Sequence, residues 1–163
     1  MKVWMIVILF VVVVGAFAQD AENDVDIVME AYIVTMQENE DGDMVEVFEA
    51  ANEAQPGDLV EYRILLANDS DDVLEDVGAL GPVPANTMFV ADSETQAAAY
   101  QTEFSIDGGA SYSPAPTLTV TNDAGEEEEV MAEPEEFNSV RWTLLEPLDP
   151  QDSHSFSYRV TVR

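Results

Sequence analysis

Apolar residues in this chain recur at every second position, and that period decides what it can fold into. Between Leu59 and Ala67, Val60, Tyr62, Ile64 and Leu66 share one face, with Glu61 and Arg63 on the other. Leu65 interrupts the polar face, which suits a central strand. The last segment is cleaner. Phe156, Tyr158, Val160 and Val162 point one way, and Ser155, Ser157, Arg159, Thr161 and Arg163 the other. Val140, Trp142 and Leu144 define a third strand, with Arg141 and Thr143 outward. Successive side chains of a strand point to opposite faces, so this alternation describes a sheet with one face in a core.

Weaker strands are expected at 27–36, 44–50, 73–80, 87–91, 99–106 and 117–121. Turn residues separate them, including Asp41-Gly42-Asp43, Gln55-Pro56-Gly57-Asp58, Asn68 to Asp72, Asp107-Gly108-Gly109 and Asp149-Pro150-Gln151-Asp152. Short strands at this spacing, with no amphipathic helix between them, predict an all-β antiparallel sandwich. Residues 93–99 are expected in a loop. The run Glu126–Glu129, with Glu133, Glu135 and Glu136 beyond it, repels itself and solvates. The sequence therefore reads 122–138 as an inter-strand loop or a hairpin tip.

The first residues read as an address. Lys2 supplies a positive charge, Val3–Phe17 are apolar apart from Gly15, and Ala16-Phe17-Ala18 precede the polar Gln19-Asp20. This is the pattern of a cleavable signal peptide over 1–18, cut between Ala18 and Gln19. The apolar run is about 15 residues, short of the roughly 20 that a spanning helix needs. An acidic lead-in follows at 19–26, and one sandwich domain is expected over 27–163. The expected location is outside the cytoplasm: extracellular, on the cell surface or periplasmic, with no membrane span left after cleavage.

Charge then narrows the partners. Aspartate and glutamate total 34, lysine and arginine 5, and the net charge is −29. Cleavage takes this to −30, because residues 1–18 hold the only lysine and no acid. Nucleic acid is excluded as a partner, since binding it requires basic side chains against phosphates. Other envelope or extracellular proteins remain. Cysteine is absent, which removes disulfides and thiolate chemistry. A surface this acidic stays soluble where salt screens it, so adaptation to a saline or halophilic setting is expected.

Few residues invite chemistry. Asp152, Ser153 and the single histidine, His154, are consecutive, and neighbours on an extended chain do not make a triad. His154 reads as a surface residue, and no catalytic or cofactor-binding residue is assigned. Calcium takes six to eight oxygens, which a loop rich in carboxylates can supply. Asp69, Asp71 and Asp72 are the calcium candidates, ahead of Asp41 with Asp43 and of Asp107. None of them fits an EF-hand spacing.

Three stretches together resemble a known family. They are Ala54-Gln55-Pro56-Gly57-Asp58-Leu59-Val60-Glu61-Tyr62-Arg63-Ile64 with Asn68, then Pro82-Val83-Pro84-Ala85-Asn86-Thr87-Met88-Phe89-Val90 with Ser93 and Ser105–Gly109. The third is Val140-Arg141-Trp142 with Leu148, Asp149-Pro150 and the terminal strand. In this order they resemble the repeat domain of bacterial and archaeal surface proteins known as the eleventh domain of unknown function. The resemblance covers roughly 45–163. Gln151 stands where the family usually has glycine, and Val83-Pro84 where it usually has Leu-Pro. The resemblance implies an immunoglobulin-like sandwich, secretion, and a structural or adhesive role without catalysis. Two other readings stand beside it. One is a subunit of an extracellular assembly built by strand exchange through 27–36. The other is a secreted hydrolase or carbohydrate-binding module.

Overall fold

A computed structural model describes residues 25–163. The signal segment, its cut at Ala18 and Gln19, and nearly all of the acidic lead-in lie outside the described residues. Ten strands run β1 (Val25–Glu38), β2 (Met44–Ala50), β3 (Leu59–Asn68), β4 (Gly78–Pro82), β5 (Thr87–Phe89), β6 (Tyr100–Ser105), β7 (Thr117–Thr121), β8 (Glu127–Met131), β9 (Ser139–Leu144) and β10 (Ser153–Val162). The only helical element among the described residues is a 3-10 turn at Pro134–Glu136. The fold is all-β, with open antiparallel sheets.

A five-stranded sheet has the order β2-β1-β3-β10-β5, and a three-stranded sheet the order β4-β9-β6. Their apolar faces meet in a sandwich-like arrangement. Val60, Tyr62, Ile64 and Leu66 of β3 lie beside Phe156, Tyr158, Val160 and Val162 of β10. Val140, Trp142 and Leu144 of β9 join them in one buried cluster. The Trp142 ring stacks on Phe156, centroids 5.1 Å apart, and leans on Tyr158 at 6.0 Å. Burying aromatic surface of this size is the main source of stability in a core of this kind. Gly81 of β4 is required by the same packing, because a Cβ there would lie 2.5 Å from the Tyr158 ring. The Tyr158 hydroxyl donates to the Pro82 carbonyl and so escapes burial without a partner.

Where the strands differ from expectation, backbone chemistry gives the reason. The segment 73–80 does not form one strand. Leu74 makes an isolated bridge to Leu148, Asp76 turns to φ 55°, and β4 starts at Gly78. Acid density does not keep 127–131 out of a sheet either. Only 122–126 form the hairpin tip, closed by Asn122 N–H to the Glu126 carbonyl, and β8 follows. In register with β7, Glu127 faces Thr121, Glu128 faces Val120 and Glu129 faces Thr119. The strand period thus places each acid opposite a neutral residue. This hairpin is a separate two-stranded sheet, tied at its root by Ala132 N–H to the Pro116 carbonyl. Residues 93–99 form a loop. Leu65 is central, third of five strands, yet its side chain is 42% exposed beside Val28.

Candidate functional site

The acidic turn after β3 is organised by its neighbour, not by its carboxylates. Asn68 is fully buried, and its Nδ2 donates to the carbonyls of Asp72, Leu148 and Asp149 at 2.8, 3.0 and 3.1 Å. Its Oδ1 accepts from the N–H and hydroxyl of Ser70. One side chain therefore closes its own turn and latches it to the turn before β10, about 80 residues later in the chain. Asp69, Asp71 and Asp72 are exposed around this latch. The Asp69 and Ser70 carbonyls accept from Gln151 Nε2, and the Asp72 carbonyl from Asn68 and Ser70. Gln151 itself sits at φ 63°.

The other acidic turns are also bonded internally. Asp107 accepts from Ser105, from the Ser111 N–H and from the Ser111 hydroxyl. These bonds, led by the Ser111 hydroxyl, hold its carboxyl down at about 2. Asp41 and Asp43 donate their backbone N–H groups to Asn39. Among the described residues, no three acidic or histidine side chains gather as a cation site. His154 lies against Phe156, while Asp152 accepts from the N–H of Ser153.

The charged centre of the molecule lies elsewhere, on the outer face of the five-stranded sheet. Glu61 of β3 is only 7% exposed. Its two oxygens accept from Arg63 at 2.7 Å and from Arg159 of β10 at 2.8 Å. Arg159 then makes a two-pronged bond to Glu46 of β2, both contacts at 2.7 Å. That bond raises the Arg159 guanidinium and lowers the Glu46 carboxyl from their ordinary values. The Arg63 guanidinium lies 4.7 Å from the centroid of the Tyr32 ring and 4.3 Å from that of Phe48, a stacked cation. On the smaller sheet Arg141 bonds Glu103 at 2.6 Å and lies over Tyr112. Alternation in β3 and β10 placed Glu61, Arg63 and Arg159 on the outer face. No signal in the sequence paired them with Glu46.

Two shallow grooves adjoin these elements. One of about 420 Å³ runs along Leu59, Glu61, Val90 to Ser93, Ser157 and Arg159. The other, about 290 Å³, opens beside β6 between Glu94, Tyr100, Phe104 and Pro114. No helix among the described residues is long and apolar enough to cross a membrane. Comparison with protein-family models, with curated proteins and with solved structures finds no match to this chain.

Proposed function

We propose that the chain is an exported domain of the cell envelope or cell surface, structural or adhesive in role, with an immunoglobulin-like sandwich of the prokaryotic surface-repeat kind. One observation carries this reading. The three stretches that prompted the resemblance meet in a single frame. Asn68 of the first bonds the Leu148 and Asp149 carbonyls of the third. Tyr158 of the third bonds Pro82 of the second, and Gly57 N–H of the first bonds Val162. Gln151, at the family's usual glycine, adopts the left-handed conformation that glycine favours. The leader-like 1–18 supports export, and the excess of acids supports a saline or cation-rich exterior.

The test is made on the full chain expressed in a bacterial host. The reading expects a product beginning at Gln19, found outside the cytoplasm and, on whole cells, open to added protease. A chain that keeps residues 1–18 and stays in the cytoplasm overturns it.

A further inference from the structure

We propose that the groove beside β6 takes the cationic side chain of a basic polypeptide, received by Glu94. Glu94 is 9% exposed. Its Oε1 accepts from Gln96, but its Oε2 is buried and has no hydrogen-bond partner among the described residues. A buried carboxylate oxygen without a donor costs free energy that a bound donor recovers. The strap that carries Glu94 is fixed on both sides. Ser93 Oγ accepts the Arg159 N–H at 2.9 Å, and the Thr95 N–H donates to the Ser157 carbonyl at 2.8 Å. The Thr95 carbonyl in turn accepts from the Trp142 indole. The unpartnered oxygen is therefore held in place instead of being free to swing into water.

Glu94 lines the groove, whose other walls include Tyr100, Phe104 and Pro114. At about 290 Å³ it has room for one long side chain. Rings and proline suit an alkyl stem, and an aromatic face attracts the cation that the stem carries. The chain's own arginines are committed elsewhere. Arg63 bonds Glu61, Arg141 bonds Glu103, Arg159 bonds Glu61 and Glu46, and Arg163 bonds the Glu135 carbonyl. Among the described residues no arginine is left for Glu94, and a net charge of −29 draws positive partners towards the surface.

Trp142 supplies the reporter, because its indole N–H bonds the residue next to Glu94. The full chain, labelled with nitrogen-15, is titrated with N-acetyl-arginine amide at constant ionic strength. The expected result is a saturable shift of the Trp142 indole signal and of the Gln96 and Thr102 amides. The neutral analogue N-acetyl-citrulline amide should bind at least about tenfold more weakly, as should arginine amide to Glu94→Gln. Ala97→Trp narrows the mouth from an exposed position without touching the carboxylate, and should abolish the response. No saturable shift, or equal binding of the citrulline compound, overturns the proposal. So does wild-type affinity in both variants. Tighter binding of putrescine than of the arginine amide overturns the polypeptide source in favour of a free diamine.

Discussion

The two halves of the five-stranded sheet are built from similar strands and meet different fates. β3 and β10 present Val60, Tyr62, Ile64, Leu66, Phe156, Tyr158, Val160 and Val162 inward, all buried. β1 pairs with β3 through ten residues, so Ile27, Met29, Ala31 and Ile33 share that inner face. Yet Met29, Ala31 and Ile33 are only half-buried, and Ile27 is 49% exposed. Val45 and Val47 of β2, on the same side, are open or half-open. The reason is width. Three strands lie across five: β3 and β10 supply the buried cluster, β1 only partly buried residues against its margin, and β2 none. Pattern makes a face apolar. Only the opposing layer makes it a core.

Substitution in the covered half should give the largest effect. Trp142→Ala removes the largest fully buried side chain and leaves a cavity against Phe156 and Tyr158. It should cost about 3–5 kcal/mol in urea unfolding. A loss below about 1 kcal/mol would mean that the two sheets do not pack as described.

Next comes the latch at the end of that half. Asn68→Ala takes one of two donors from each of three carbonyls, deprives Ser70 of its acceptor, and empties a fully buried position. The expected loss is about 1–3 kcal/mol. Asn68→Asp should be at least as harmful, since a carboxylate accepts but does not donate. An aspartate variant as stable as the wild type would show that the amide's donated bonds contribute nothing.

The outer-face cluster sharpens the comparison, because it joins the two halves. Glu61 and Arg159 belong to the covered strands, while Glu46, Tyr32 and Phe48 belong to β1 and β2. Glu61→Gln weakens two ion pairs that are partly open to solvent, so about 1–2 kcal/mol is expected at low salt, with less in molar sodium chloride. Glu46→Gln adds a pH test. The Arg159 bond lowers the Glu46 carboxyl in the folded state, so its contribution is present above the unfolded value of about 4.5 and is lost as pH falls through the folded one. The variant should be less stable than the wild type at neutral pH and converge with it in acid. A gap that persists unchanged to pH 2 would mean that the carboxylate charge is not what Arg159 uses.

How much of this was legible follows from the same contrast. β3, β9 and β10 were readable because their alternation, broken in β3 only by Leu65, reflects one face in the core and a more polar face outside it. β1 carries apolar residues on both faces, with Val28, Tyr32 and Val34 outward, so its sequence could mark a strand but not its cover. β8 was hidden because its acids suggest repulsion, whereas the pairing that separates them depends on β7. Asn68 could be read as a turn residue. Its reach to Leu148 and Asp149 could not, since that needs the fold. Glu94 left no trace, because nothing local tells a buried acid in a loop from a solvated one.

The smallest effect belongs to the uncovered half, and it tests the comparison most directly. Ile27 pairs with Leu66, which is fully buried, but keeps about half of its own surface in water. Ile27→Thr keeps a β-branched side chain, so strand propensity is nearly unchanged. The variant gives up little burial and should lose about 0.5 kcal/mol or less. The loss should also be independent of protein concentration. A cost near that of a core substitution, growing as the protein is concentrated, would mean that a second copy covers β1 and β2 in solution. The difference between the halves would then belong to the single chain and not to the working molecule. A small loss, equal at micromolar and millimolar protein, keeps the open face as a property of the domain itself.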